Sequence, residues 1–541
     1  MKDKSDKVYT PTISVFLRNE EKKTVILNFP TSVLQKKLAD IRSNGQESFV
    51  LSYKGFKRTL NVKDLEKKIL QANLAQSKKT VPIPSILTSV LSYCYDREAL
   101  IYEGTIEGRD SEREKLTTFI TSAQKSNCVM IGSSGVGKTT IVEDFSKDLI
   151  MQNCPEQLKD TVVLRINLNG IPKSFLKRTA FYNELKRFLK KKRSHIILFF
   201  PSLEDLVNYP EMVELFNEEL IYNNQRIIAE INPESLLAGL IPSDQVRCIN
   251  FLPVPEPGLD EVQPLISKKV RLIELENGIE ISDAMVRFAV MTSSVLASST
   301  VVNPELTMDV INFASMNARV NGEKAVTKKN ILAFYNINFK LMDKMDEKEK
   351  IITAYHEIGH YVVSKMVKNV KRSKNAFVSI LPIESALGLT ASYAEEGKQL
   401  TLTREYYLDQ IAYSYGGRTG EYLYTKTYSS GASADIEEAS EIAEQLVLSG
   451  GLSQNDDVSN KSYMWGGMVK DYLLTDEEKK KLSEEIDQIR AEGFKRAQDI
   501  CNENADLIGY LVKALVEDGI LLGSELDELI VKFNESKTTV N

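Results

Sequence analysis

The segment GSSGVGKT, Gly132 to Thr139, constrains this chain more than any other, because it functions only as the turn between a buried strand and a helix N-terminus. Its flanks supply both: the apolar run CVMI precedes it and TTIVEDFSKDL follows it. Glycines let successive backbone N–H groups face one side, where an anion also meets the positive end of the helix dipole. Gly132, Ser133, Ser134, Gly135, Val136, Gly137, Lys138, Thr139 and Thr140 are therefore read as a phosphate-binding loop. Lys138 would reach the terminal phosphates and Thr139 would bind magnesium, so ATP or ADP with Mg2+ is the implied ligand. The competing reading, a Gly-Ser loop that happens to precede a lysine, leaves the flanking strand and helix as coincidence.

Such a loop requires a sheet. Between Ile101 and about Pro257 the apolar runs NCVMI, TVVLRINL, HIILFF and RIIAEI alternate with helical stretches, the pattern of a mostly parallel sheet covered by helices. A chain of 541 residues exceeds what one hydrophobic core can organise, so further domains are expected. TISVFL, TVILNF and SFVLSY, followed by the helix-like NVKDLEKKIL, predict a small α/β module, and QSKKTVPIPS, Gln76 to Ser85, reads as its boundary. Residues 258 to about 340 read as helical. From Met345 onward the pattern is mainly helical, with a strand pair at NAFVSILP and LGLTASY. The predicted class is multidomain, α/β plus α-helical, with domains 1–85, 86–257, 258–344 and 345–541.

Composition narrows the function classes. A net charge of −6 is too small and of the wrong sign for a nucleic-acid surface, so no nucleic-acid partner is expected. Five cysteines without CxxC spacing suit a reducing compartment, and no stretch has the length and apolarity of a membrane span. A cytoplasmic protein with no integral membrane anchor is the expectation.

The second chemical feature is HEIGH. Two of the chain's three histidines, His356 and His360, stand four apart, on one face of any helix they occupy. Both imidazoles can then bind one Zn2+ while Glu357 acts as general base on a zinc-activated water, the arrangement for amide hydrolysis. The alternative is a chance coincidence of two histidines and a glutamate on an exposed helix face. A catalytic zinc needs a third protein ligand, and His195, in a different predicted domain, is a poor candidate.

From MDEKEKIITAYHEIGHYVV to about Leu529 the chain resembles the peptidase domain of FtsH-type zinc metalloproteases, with ALGLT, IAYSYGGRTGEYL and SSGASADIEEAS following in family order. The resemblance makes Asp435 the third zinc ligand; alone, Asp435 would read as a helix first-turn aspartate. It implies packing rather than catalysis for Gly416 to Arg418. The LGLTASY strand could bind an extended substrate along its edge or simply be an interior strand. Ile101 to Asn336 resembles the first ATPase domain of Clp-type AAA+ unfoldases, through IEGRDSEREKL and FLPVPEPGLDE, which implies a parallel α/β sheet with a helical lid. By that resemblance Asn232 is a sensor residue, Arg247 an arginine finger and Phe175 a pore-loop aromatic; Phe175 could equally pack under a helix start.

One departure stands out. After IILFF the AAA+ family places Asp-Glu, where this chain has Pro201 and Ser202. Without a carboxylate there, magnesium binding and phosphoryl transfer lose a major component, so ATP is expected to be bound but hydrolysed slowly or not at all. Glu204 and Asp205 fall beyond the strand end. The resemblances together imply a homo-hexameric ring acting on protein or peptide substrates. An ATP-independent peptidase and a regulatory ATP-binding assembly with a structural zinc are the alternatives.

Overall fold

The computed structural model describes residues 12–337 and 344–539, except 19–23, 44–47, 55, 96–107, 124, 220–224, 238–248, 297–301, 369–372, 383–387, 395–401, 462, 466–467 and 470–473. It divides into two compact units, one of residues 1–276 with 301–309, the other of 277–300 with 310–541. The helices of the segment 258–344 are thereby shared between them.

The first unit begins with a four-stranded antiparallel sheet, in the order Thr24–Pro30, Thr12–Arg18, Phe56–Asn61, Ser48–Tyr53. Period-two alternation forms it: Ile13, Val15 and Leu17 are buried while Phe16 stands outside. Helices Thr31–Ser43 and Val62–Thr80 pack through Leu34, Leu38, Leu65 and Ile69 in the same core. The strand Phe56–Asn61 escapes a reading of the sequence because Lys57, Arg58 and Thr59 interrupt its apolar pattern. The module meets the end of the phosphate-loop helix Lys138–Ile150: Asn73 Nδ2 donates to Ile150 O at 3.0 Å and Gln35 Nε2 donates to Met151 O. These amides satisfy carbonyls that a helix C-terminus otherwise leaves bare.

The second sheet of this unit runs Asn250–Pro253, Asn127–Ile131, Arg226–Ile231, Ile196–Phe200, Val162–Ile166, Leu91–Tyr93. All neighbours are parallel except the short edge strand Leu91–Tyr93. Every residue of Ile196–Phe200 is buried, as expected where both faces are covered. On one face Ile197, Phe199, Ile228 and Met130 pack against Ile141, Val142 and Phe145 of the phosphate-loop helix. On the other, Leu198, Phe200 and Ile227 pack against Phe181, Leu185 and Leu189 of helix Phe175–Lys192. Buried Arg109, from the GRD motif, donates to Val136 O at 3.1 Å and Pro255 O at 2.9 Å, tying the loop to the VPEP segment.

In the second unit the helix Glu347–Met366 lies at the centre of a largely helical core containing Ile358, Tyr361, Val362, Leu408, Ile411, Leu446, Ile508 and Leu511. The predicted strand pair is present as Ser373–Ser379 and Leu389–Ala394; the former also pairs with Ile520–Leu522, a three-residue strand between two helices that gives no clear pattern in sequence. No helix among the described residues is long and apolar enough to cross a membrane.

Helix Gly416–Thr425 crosses Glu347–Met366 at unusually short range. A Cβ on Gly359 would stand 2.3 Å from Gly416 O, and one on Gly420 would stand 2.2 Å from Tyr355 O. Backbone, not a movable side chain, fills both spaces. Gly359→Ala should therefore destabilise this unit by roughly 1–3 kcal/mol, the cost of overpacking a closed core. A denaturant titration followed by circular dichroism measures it, and an unchanged unfolding midpoint would contradict the tight crossing.

Candidate active site

Asp346 and the first-turn acids Glu347 and Glu349 begin the HEIGH helix where its dipole favours negative charge. Ten residues along it, His356 and His360 project from one face, with Nε2 atoms 3.1 Å apart. Each imidazole is held at its other nitrogen: His356 Nδ1 lies 2.7 Å from Glu421 Oε1, and His360 Nδ1 lies 2.9 Å from the backbone carbonyl of Tyr413. Carboxylate and carbonyl oxygens only accept, so both protons reside on Nδ1 in the neutral rings, and both Nε2 lone pairs face the same point. Asp435, in the first turn of helix Ser433–Glu444, brings Oδ2 to 3.2 Å from His356 Nε2 and 3.5 Å from His360 Nε2.

Two lone pairs and a carboxylate oxygen crowded together repel unless a cation lies among them. Among the described residues this is the one His/Cys/Asp/Glu group with atoms close enough to hold a metal, all within 4.8 Å of one another. A two-nitrogen, one-oxygen set suits zinc and leaves a coordination position for water. The surroundings have the complementary charge. Burial alone would lower the His356 imidazole, but the pull of Asp435 and Glu421 pushes it up to about 10, so the site gathers positive charge, which a metal ion would supply in place of the ring's second proton. Despite burial, the same imidazoles hold Asp435 well below the usual carboxylate range, and His356 with Ser429 holds Glu421 below it. The donor set therefore fits a zinc ion.

Room for such an ion comes from Gly417. A Cβ there would stand 2.4 Å from His360 Nε2 and 2.5 Å from His356 Nε2, in the space the lone pairs face. Gly416, Gly417, Gly420 and Glu421 thus share one helix face: glycines permit the approach, and the glutamate orients a histidine. Glu357, 7% exposed, sits beside the pair, and burial raises its carboxyl despite both neighbouring imidazoles. Thr390 Oγ1 donates to Glu357 Oε2 at 2.6 Å, and a Cβ on Gly388 would stand 2.6 Å from Oε1. The ALGLT motif therefore positions the glutamate.

The family model for peptidase family M41 matches residues 343–529. The chain is 32% identical over 191 residues to "ATP-dependent zinc metalloprotease FtsH 1" of Thermoanaerobacter sp. (strain X514), covering 34% of this chain and 31% of that protein. It is 30% identical over 235 residues to "ATP-dependent zinc metalloprotease FtsH" of Endomicrobium trichonymphae, covering 41% and 36%. The chain thus spans about a third of the length of these relatives. Among solved structures, the S. cerevisiae Hsp104:casein complex in its extended conformation is similar over 53% of this chain and 51% of that one, at 17% identity and a TM-score of 0.43. In this segment, Glu421 and Thr390 are the site residues that reasoning from the sequence missed. An acid on the glycine-bearing face of GGRTGEYL was the available signal for Glu421.

The phosphate loop borders a cavity of about 580 Å³ whose lining includes Ser134 to Thr140, Glu204, Glu230 and Asn232. Gly135 and Gly137 adopt φ of 79° and 99°, left-handed values that open the loop into helix Lys138–Ile150. Lys138 Nζ donates to Gly132 O at 2.7 Å and Ser133 O at 2.8 Å, folded into the loop. Glu204 opens the 3-10 helix Glu204–Asn208 beyond the strand end, as its sequence position predicts. Its carboxylate nevertheless reaches the cavity, accepting from Ser202 Oγ at 3.1 Å and from the Asn232 backbone N–H. Arg247 lies outside the described residues; Phe175 starts helix Phe175–Lys192, and its side chain lies outside them too.

Glu421→Ala should lower zinc affinity by about 10- to 100-fold, the usual consequence of losing a histidine's outer partner, while the fold persists. Competition against a chromophoric chelator measures this, and wild-type affinity in the variant would dismiss the orienting role. Gly417→Ala should fail to retain zinc through gel filtration.

Proposed function

We propose that this chain is a zinc endopeptidase of the FtsH type, hydrolysing peptide bonds in intracellular proteins, with an AAA+ ATP-binding module in the same chain. The observation that carries the reading is the convergence of His356, His360 and Asp435 within 4.8 Å beside a buried Glu357. His356 Nε2, His360 Nε2 and Asp435 Oδ2 would hold the ion. Zinc bound there supplies Lewis-acid polarisation of the scissile carbonyl and acidifies water.

The chain's own residues do the rest. Glu357 Oε2 is engaged by Thr390, so Oε1 is the oxygen that takes the proton from the attacking water and passes it to the leaving amine nitrogen. Burial raises this carboxyl, which makes it a stronger base toward the water proton. Leu389–Ala394 has one strand partner among the described residues and runs past Glu357 at Thr390, so an extended peptide could pair along its other edge. Main-chain pairing reads backbone rather than side chains and gives broad specificity.

In this reading the domains are 1–85, 86–257, 258–344 and 345–541, the protein acts in the cytoplasm, and it assembles as a homo-hexamer in which Arg247 completes a neighbour's nucleotide site. Asn232, on the wall of that cavity, would act as its sensor residue, and Phe175, at the start of helix Phe175–Lys192, is the nearest aromatic to a substrate-gripping loop. A second reading, peptidase action independent of ATP turnover, is favoured by one observation: Pro201 and Ser202 stand where the AAA+ family carries its acids.

Glu357→Gln should abolish cleavage of an unfolded casein-like substrate, with a loss of at least about 100-fold, while zinc content stays at the wild-type level. A chelator should abolish wild-type cleavage, and zinc should restore it. Zinc-independent cleavage, or full activity in the variant, would defeat the proposal. Cleavage of unfolded but not folded substrate, indifferent to ATP, would favour the second reading.

A further inference from the structure

Phosphate-loop NTPases hold magnesium between the loop Ser/Thr and a carboxylate at the end of a nearby strand, and the expected positions here are Pro201 and Ser202. The cavity before Lys138 is nevertheless lined by carboxylates. We propose that Glu230, with Thr139, holds the magnesium ion of a bound nucleoside triphosphate, the metal-side carboxylate having moved one strand across the sheet. The inference rests on the phosphate loop binding nucleotide.

Sheet geometry supports the exchange. Ile197 and Phe199 face the phosphate-loop helix, so alternation directs position 201 to the same side, where proline offers no ligand. Ile228 also faces that helix, and Glu230, two residues on, shares its face. The strand Arg226–Ile231 lies directly between Asn127–Ile131 and Ile196–Phe200, with Glu230 paired to Met130 near the end that feeds the phosphate loop. A carboxylate on this strand therefore starts nearer the loop than one on Ile196–Phe200.

Contacts support it as well. Thr139 Oγ1 donates to Glu230, 2.9 and 3.1 Å from its two oxygens, the pairing expected of two groups that share a cation. The hydroxyl uses its proton here and keeps its lone pairs, while the carboxylate keeps most of its acceptor capacity. Glu230 is 5% exposed, and burial works against its charge while the Thr139 hydroxyl and the charge of Lys138 favour it. A carboxylate so deeply buried gains from a divalent cation at the cavity wall. One or two carboxylates, a hydroxyl and substrate phosphates are the ligands magnesium ordinarily takes in such sites.

The test is equilibrium binding of a fluorescent ATP analogue to the full chain, in EDTA and in magnesium. The wild type should bind about ten-fold more tightly with magnesium, and Glu230→Gln should reduce that enhancement to under about two-fold while binding in EDTA is no weaker than the wild type's. An unfolding midpoint measured by circular dichroism reports that the variant is folded. Should Glu230→Gln not fold, Glu230→Asp keeps the charge but shortens its reach, and a reduced enhancement there supports the assignment. Undiminished magnesium enhancement in a folded variant would overturn it. Absence of wild-type nucleotide binding in both conditions would overturn the phosphate-loop reading itself, and this inference with it.

Discussion

The contact on which the second unit depends is the close crossing of helix Gly416–Thr425 over the HEIGH helix. Four glycines, Gly359, Gly416, Gly417 and Gly420, remove the side chains that would hold the two backbones apart. The approach has two chemical consequences. It leaves open the space in front of both Nε2 atoms, and it brings Glu421 within 2.7 Å of His356 Nδ1. The same feature that closes the core therefore creates the site and fixes a histidine tautomer. Glycines at a helix crossing ordinarily cost helix stability, and here the packing of the surrounding core offsets that cost.

Buried and half-buried acids recur at both sites, each with different partners. Asp435 and Glu421 share His356 between them, so their negative charge is expressed as a demand for a cation. Glu357 has a hydroxyl partner in Thr390, and burial raises its carboxyl. Glu230 likewise has a hydroxyl partner, in Thr139, and is similarly raised. A buried carboxylate is costly without compensation, so acids that persist in covered positions point to a cation or a proton as part of their working state. Glu204 is tied by Ser202 and the Asn232 backbone at the cavity wall, although its sequence position places it beyond the strand.

Elements with strong local periodicity were legible from sequence: the buried strands of the mostly parallel sheet, the phosphate loop with its helix, the HEIGH helix and the pair Ser373–Ser379 and Leu389–Ala394. Those that escaped lack a local pattern. Phe56–Asn61 has one buried aliphatic, Leu60, among polar neighbours, and Leu91–Tyr93 and Ile520–Leu522 are three residues each. Such segments become strands because neighbours supply hydrogen bonds, not because their own side chains alternate.

The sequence by itself determined what depends on neighbours a few residues away. His356 and His360 share a helix face because they are four apart, and the loop before Lys138 bends as it does because glycine alone readily accepts the φ values of Gly135 and Gly137. Only the tertiary structure decided the partners that complete each site. Thr390 reaches Glu357 from 33 residues away, Glu421 reaches His356 from 65, and Glu230 reaches Thr139 from 91. No periodicity encodes those separations. They follow from which helix the glycines let come close and which strand the sheet places beside the loop.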